Sequence, residues 1–369
     1  MQSAPPPSRP IPFSQFMTRA LYDPESGYYM RPQSPFGAEG DFITAPTLSP
    51  LLAQVLAGAV KALLAQLPTP RIVEWGGGNG QLAADLIAAL QAEGVEPDYH
   101  MVEISPHRRE EQQQTLAARG YPHVTWHTPD APPSGAALVL GNELFDAFPV
   151  EVLEWQNGGW IHMGVEPDSA GGWRWAALGA PPADWLAAIP DYPEHPRIEG
   201  DRVEICLGLA PWVTQLAQTL GGDGYLLAID YGDDAQALYH PARRSGTLQA
   251  YHRHQAHNEV LTRPGDQDLT AFVDFSALAR ACAAHNLPPL AFTTQARFLV
   301  EGGILDRLLP LTANPNDPDA IHALSLAKRL MHHDGMGERF KVFLAGSPAL
   351  ELPPHFRGNR LHRLFLRGD

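Results

Sequence analysis

Residues 71–87 read RIVEWGGGNGQLAADLI, an apolar run that stops at Gly76, Gly77, Gly78 and Gly80 and gives way to apolar residues at helical spacing. Glycine at the hinge of a strand and a helix is entropically costly. It is useful where the backbone must turn sharply or lie against a ligand, most often a nucleotide. Two spacings compete. Gly78, Gly80 and Ala83 satisfy the dinucleotide pattern G-x-G-x-x-G/A, but that register starts late for a strand ending at Trp75. From Gly76 the pattern is acid-first, Glu74-x-Gly76-x-Gly78-x-Gly80. This form suits S-adenosylmethionine (SAM). SAM has no pyrophosphate to seat on a helix N-terminus, but its ammonium calls for a nearby carboxylate and its body for a bare backbone.

Glu103, closing the run YHMVEIS, is placed to accept hydrogen bonds from ribose hydroxyls in either cofactor class. In open α/β sheets ligands bind beyond the carboxyl ends of the strands. That rule puts Asn142, Glu143 and Asp146 of LVLGNELFDAFPVEVLEW beside cofactor and acceptor. Asn142 as a helix cap and Glu143 as a first-turn acid are the structural alternatives. Methyl transfer from a sulfonium is an in-line displacement in which positioning is worth roughly 7–11 kcal/mol. A guanidinium acceptor needs acids to orient it, and Glu143, Asp146 and Asp41 are the candidates. A hydroxyl or ring nitrogen needs a general base, for which His240 or His254 could serve. His252, His254 and His257 invite a metal reading, but no further ligand pattern accompanies them and no metal is expected.

Strands alternating with helices must hold these residues: strands at 72–75, 99–103, 123–127, 137–140, 149–155 and 225–229, helices at 82–92 and 107–119. The alternation predicts a parallel sheet covered on both faces. Residues 292–299 and 340–345 alternate like a closing antiparallel pair. Residues 11–21 and 51–67 have helical spacing, whereas the Pro- and Gly-rich stretch 31–50 is too long for an ordinary connection. The division expected is an arm and cofactor-covering loop over 1–50, then one domain over 51–369 with insertions at about 156–210 and 231–275. The tryptophans of the first insertion, Trp155, Trp160, Trp173 and Trp175, are expected to pack inside it. A net charge of −15 over 369 residues, with no Lys/Arg-rich run, argues against nucleic acid as a partner. Cys206 and Cys282 read as reduced core thiols, no run is long enough for a membrane span, and the opening residues resemble neither a signal nor a transit peptide. A cytoplasmic protein is the expectation.

Five ordered stretches carry a resemblance: GAEGDFITAPTLSPLLAQVLA, VEWGGGNGQLAADLI, GNELFDAFPVEVLEW, IDYGDDAQALYHPARRSGTLQAYHRH and PGDQDLTAFVDFSALA. Spanning Gly37 to Ala279, they resemble the motifs of the MidA-like family of SAM-dependent methyltransferases, which includes a mitochondrial complex I assembly factor that methylates an arginine of a core subunit. The resemblance implies a Rossmann-like class I methyltransferase sheet with an N-terminal helical segment and an inserted subdomain. It implies SAM held by Gly76, Gly78 and Gly80, its ribose on Glu103, a loop with Asp41, Phe42 and Thr44 closing over it, and Asn142 and Glu143 at the transfer centre. It further implies a protein acceptor, arginine favoured, in a respiratory-complex subunit. Thr47 and Phe272 stand where the family carries an acid and a histidine, departures that touch the acceptor and leave the cofactor residues intact. An NAD(P)-linked oxidoreductase and a SAM-binding assembly factor without transfer are the competing classes.

Overall fold

Runs such as RIVEW, ALVLGN and GYLLAIDYGD lack polar alternation, so both faces of such strands must be covered, as helices cover a parallel sheet. The computed structural model describes residues 9–33, 50–253, 255–313, 316–333, 335–347 and 351–365. Helices α1 (Phe13–Tyr22) and α2 (Leu51–Leu64) precede the alternating core of β1 (Arg71–Trp75), α3 (Gln81–Ala92), β2 (Asp98–Val102), α4 (Pro106–Ala118), β3 (Thr125–His127) and β4 (Ala137–Asn142). Then come β5 (Glu151–Gln156), β6 (Gly159–Pro167), β7 (Trp173–Gly179), β8 (Arg202–Ile205), α5 (Leu209–Leu220) and β9 (Gly224–Asp233). The chain continues through β10 (Gln249–His252), β11 (Gln255–His257), β12 (Asp268–Thr270), α6 (Phe275–Ala284), β13 (Pro289–Thr294), α7 (Gln295–Glu301), α8 (Pro318–Met331) and β14 (Phe340–Gly346).

The central sheet runs β13-β14-β9-β4-β1-β2-β3, with Val273–Asp274 as an eighth strand on β9. The pairs from β9 to β3 are parallel, and β14 is antiparallel to both β9 and β13. Ile72, Leu138, Leu140 and Leu227 face α2 and α3 on one side, while Val73, Val139 and Leu226 face α5 and α6 on the other. β1 has β2 on one side and β4 on the other, so the crevice at their carboxyl ends is the topological switch point. No helix among the described residues is long and apolar enough to cross a membrane.

Three expectations change. The strand expected at 149–155 exists as β5, but it joins a second, antiparallel sheet with β6, β7, β8 and Ile11–Pro12. The apolar run at 292–299 stops being a strand at Thr294, whose hydroxyl caps α7 by accepting from the Arg297 N–H at 3.4 Å; Phe298 and Leu299 reach the core from a helix. Helix α1 buries Phe13, Phe16, Met17 and Leu21 against Val152, Val165, Ala250 and Leu269 of the inserted strands. Trp175 stacks on Phe13 at 5.1 Å, and Trp173 meets Phe16 edge-on at 5.2 Å. Trp173 and Trp175 thus pack on α1 and not inside the insertion, whereas Trp155 and Trp160 meet each other edge-on at 5.3 Å.

One glycine shows how the sheet positions its site. Gly80 starts α3 with φ +83°, and a Cβ there would lie 3.2 Å from the Gln112 Cα of α4. Gly94 has a similar φ of +78° with nothing within 4 Å. Left-handed backbone costs an alanine about 1–2 kcal/mol at either position, and only Gly80 adds a helix displacement. Gly80→Ala is therefore expected to lower the urea midpoint further than Gly94→Ala; equal losses would mean that the approach of the two helices is not tight.

Candidate active site

The glycine turn leaves β1 with Gly76 at φ +64° and Gly78 at φ +55°, conformations that bare the backbone toward the crevice. Opposite it, Glu103 follows β2 as a buried carboxylate. Its Oε1 accepts the Ser105 N–H at 2.8 Å and its Oε2 accepts from the Gln112 amide at 2.8 Å. The same amide nitrogen donates to the Gly78 carbonyl at 3.0 Å, and the Trp126 indole N–H, donating to Gln112 Oε1 at 3.0 Å, sets which way the amide points. Burial pushes the Glu103 carboxyl up, against the pull of these donors. Arg108 completes this end by donating to the carbonyls of Arg31 and Pro32 at 3.1 and 2.9 Å.

The other wall is the turn after β4. Asp230, fully buried near the end of β9, accepts on Oδ2 from the backbone N–H groups of Leu144, Phe145 and Asp146 at 3.0, 2.7 and 3.3 Å, and on Oδ1 from its own neighbour Tyr231 at 2.8 Å. The turn so held carries Glu143 at φ +50°, an unusual conformation for a non-glycine residue and a mark of stored strain. Glu143 Oε1 accepts from the Asn142 amide at 3.3 Å, while Asn142 Oδ1 is buried with no hydrogen-bond donor among the described residues. Burial lifts Asp230 to about 7. Asp146 rises well above the carboxylate range through burial first, then the charges of Asp230, Asp268 and Glu143.

Four tyrosines close the space between these walls. Tyr22 donates to the Ala147 carbonyl at 2.9 Å and stacks on Tyr29 with ring centroids 5.7 Å apart. Tyr29 in turn donates to Asp268 Oδ1 at 2.8 Å. Tyr231 and Tyr251 line the same cavity, which has about 910 Å³ of empty space, part of it open to solvent. Burial raises both Tyr22 and Tyr29, with Asp268 adding to it, so they stay neutral phenols.

Of the residues singled out in the sequence, Gly76, Gly78, Glu103, Glu143 and Asp146 line this one cavity. Gly80 sits behind them as the start of α3. Glu74 is not brought into the cavity: it lies buried behind the turn, accepting from the Tyr99 hydroxyl at 2.9 Å, and burial lifts it to about 7. Asp41, Phe42, Thr44, Thr47 and His254 lie outside the described residues. His240 is in a separate cleft with Arg243. Phe272 stacks over Tyr231 at 6.2 Å. Sequence reasoning missed Tyr22, Tyr29, Arg108, Gln112, Asp230 and Asp268. Asp230 and Asp268 do fall inside the motif stretches, whereas the tyrosines sit in YDPESGYYM, which reads only as a break after a helix.

Comparison with known proteins identifies the family. Residues 51–293 match the model of a family described as "Putative S-adenosyl-L-methionine-dependent methyltransferase". A relative from Mus musculus, protein arginine methyltransferase NDUFAF7, mitochondrial, is 31% identical, covering 90% of this chain and 80% of its own length. The protein of the same name from Danio rerio is 30% identical over 90% of this chain and 83% of its own. The crystal structure of a protein from Burkholderia thailandensis bound to S-adenosyl-homocysteine superposes with a TM-score of 0.87 at 38% identity, covering 95% of this chain and 92% of that one. These findings correct one expectation: the relatives are named as mitochondrial, so the cytoplasmic assignment drawn from the opening residues does not stand. The cofactor is S-adenosylmethionine, and the chain belongs to this family of S-adenosyl-L-methionine-dependent methyltransferases.

Proposed function

We propose that the chain methylates an arginine side chain of a protein, with a respiratory-complex subunit as the acceptor. One observation carries the reading: Glu143, Asp146 and Asp268 share a tyrosine-walled cavity with the glycine turn. A guanidinium is a planar cation that pairs with carboxylates through two parallel N–H bonds and stacks its faces on aromatic rings. The names of the mouse and zebrafish relatives support the same acceptor. The complex-subunit partner rests on the motif resemblance.

The residues present fit the cofactor. Gly76 and Gly78 offer bare backbone, Glu103 is held by two donors with its carboxylate toward the cavity, and the buried Asn142 Oδ1 needs an N–H or O–H donor. S-adenosylmethionine supplies a methyl group on a sulfonium. Glu103 takes the ribose hydroxyls, Gln112 holds Glu103 in place, and Glu143 and Asp146 hold the guanidinium in line. Glu74, behind the turn, braces the glycines. Asp41, Phe42 and Thr44 belong to the arm and covering loop of residues 1–50, and 51–369 form the transfer domain. Burial first, and then its acidic neighbours, favour the protonated form of Asp146 until a cation displaces the proton, which transfers charge to the site only when the acceptor is present.

Glu143→Gln is expected to keep S-adenosylhomocysteine affinity within about twofold and to lower methyl transfer by about 10²–10³, as for a lost transition-state contact. Glu103→Gln should instead weaken that affinity by about tenfold or more. Calorimetry and labelled-methyl transfer into an arginyl peptide read both, and equal losses of binding and transfer in Glu143→Gln would reassign it to the cofactor.

Stability carries a pH signature. The folded Glu74 carboxyl sits at about 7 against 4.5 in the open chain, so the folded protein holds a proton there that the unfolded chain has lost. Its contribution is full below pH 4.5 and disappears as pH rises through about 7. His355, lowered by burial, works the other way at the acid end of that window. The difference between wild type and Glu74→Gln removes the histidine. Urea unfolding of the cofactor-free protein from pH 5 to 8 should show wild type losing stability relative to Glu74→Gln, and parallel curves would place Glu74 in contact with water.

A further inference from the structure

The cavity floor is acidic, but its rim is cationic. Tyr231, which lines the cavity, packs against Phe340 with ring centroids 3.9 Å apart and against Phe272 at 6.2 Å. Arg243 lies 5.4 Å from the Phe272 ring centroid, and its buried Nε has no hydrogen-bond partner among the described residues. Arg339, next to Phe340 and exposed, is close enough for its charge to act on the Tyr251 hydroxyl, on the same cavity. Neither arginine forms an ion pair with a carboxylate among the described residues. Beside Arg243 an open cleft of about 660 Å³ is shared with His240, whose ring meets Tyr192 at 5.2 Å and His195 at 5.1 Å.

Among the described residues, Arg243 and Arg339 are left without a carboxylate partner on a chain that has 41 acidic against 26 basic residues. A cation at the mouth of a cavity that takes a cation is also unfavourable by itself, because it repels the incoming guanidinium. That repulsion disappears if the acceptor brings its own negative charge to the rim. We propose that Arg243 and Arg339 bind acidic side chains flanking the target arginine, so that the acceptor is an arginine in an acidic segment of a protein. The inference rests on the arginine reading above and adds the sequence context. The long arginine side chain spans from rim to floor, which leaves the acceptor backbone at the rim. Residues are spaced about 3.3 Å apart along an extended strand, so the nearest neighbours of the target arginine also stay at the rim. Basic neighbours are rejected by the same charges that attract acidic ones.

The test uses the full chain saturated with S-adenosylhomocysteine and three labelled peptides, each with one central arginine flanked by Glu, Ser or Lys. Fluorescence anisotropy should rank them Glu, Ser, Lys, with about three- to tenfold between Glu and Ser, the scale of two partly exposed ion pairs. The preference should shrink with added salt. The double variant Arg243→Glu with Arg339→Glu should reverse the order at unchanged S-adenosylhomocysteine affinity, which shows that it is folded. Arg243→Lys should keep it. In transfer assays the double variant should raise KM for the Glu-flanked peptide and leave kcat near wild type. Equal affinity for the three peptides, or an order untouched by the double variant, overturns the inference. Polyadenylate displacing the Glu-flanked peptide at equal charge would do so as well, by making the rim a general anion surface. If the order holds and reverses as described but no peptide is methylated, the rim stands and the arginine reading falls.

Discussion

The turn that carries Glu143 depends on one carboxylate and the four backbone N–H groups that point at it. Asp230 sits where β9 leaves the parallel sheet and draws the turn after β4 onto it through Leu144, Phe145 and Asp146. A turn with Glu143 in left-handed backbone is disfavoured in isolation by about 1–3 kcal/mol, so something must over-determine it. Hydrogen bonds to a buried acceptor that would otherwise be unpaired can do so, since losing each one leaves a donor stranded. The parallel pairing of β9 with β4 supplies the rigid spacing, and the strain is thereby converted into a fixed direction for the Glu143 side chain.

The cofactor half is built on the same logic with side chains in place of backbone. An amide is symmetric to the eye and ambiguous to its neighbours. Trp126, which can only donate, removes the ambiguity at Gln112 and turns the amide nitrogen toward both Glu103 and the Gly78 carbonyl. The carboxylate and the glycine turn, from separate strands, are thus held by a third element, α4, whose close approach the bare Gly80 permits. Glu103 and the glycine turn are set against each other by packing, so their separation is a property of the fold.

The alternation of strands and helices was legible because both-face burial leaves a plain pattern in β1, β4 and β9, and the glycine turn and Glu103 followed from it. What could not be read is long-range. Tyr22 and Tyr29 lie over 100 residues before Ala147 and Asp268, which their hydroxyls meet, and a tyrosine after a helix carries no local sign of such a partner. The second sheet was missed for a similar reason. β5 resembles a core strand in composition, and only its antiparallel partners β6 and β8 remove it from the parallel sheet. At 292–299 a local signal did exist: Thr294 followed three residues later by Arg297 is a cap, overshadowed by the apolar alternation around it. Glu74 shows the opposite error, a motif acid expected at the ligand and found behind the turn, because side chains alternate along a strand and its face is the one covered by α2 and α3.

Crowding several carboxylates into one partly desolvated space looks wasteful until the acceptor is considered. Each buried acid must be neutral or paired, since an isolated buried charge costs several kcal/mol even after relaxation. Asp146, buried and next to Asp230 and Asp268, meets that requirement by favouring its protonated form. On the proposed reading, a guanidinium entering between Glu143 and Asp146 provides the alternative, pairing both acids at once and releasing the Asp146 proton. A neutral side chain cannot make that exchange. An ammonium makes it only as a point charge, without the planar fork that satisfies two acids and lies flat on a tyrosine ring. On the proposed reading, discrimination comes from what happens to Asp146 when the wrong group enters: it keeps its proton, and the orientation needed for in-line attack is never established.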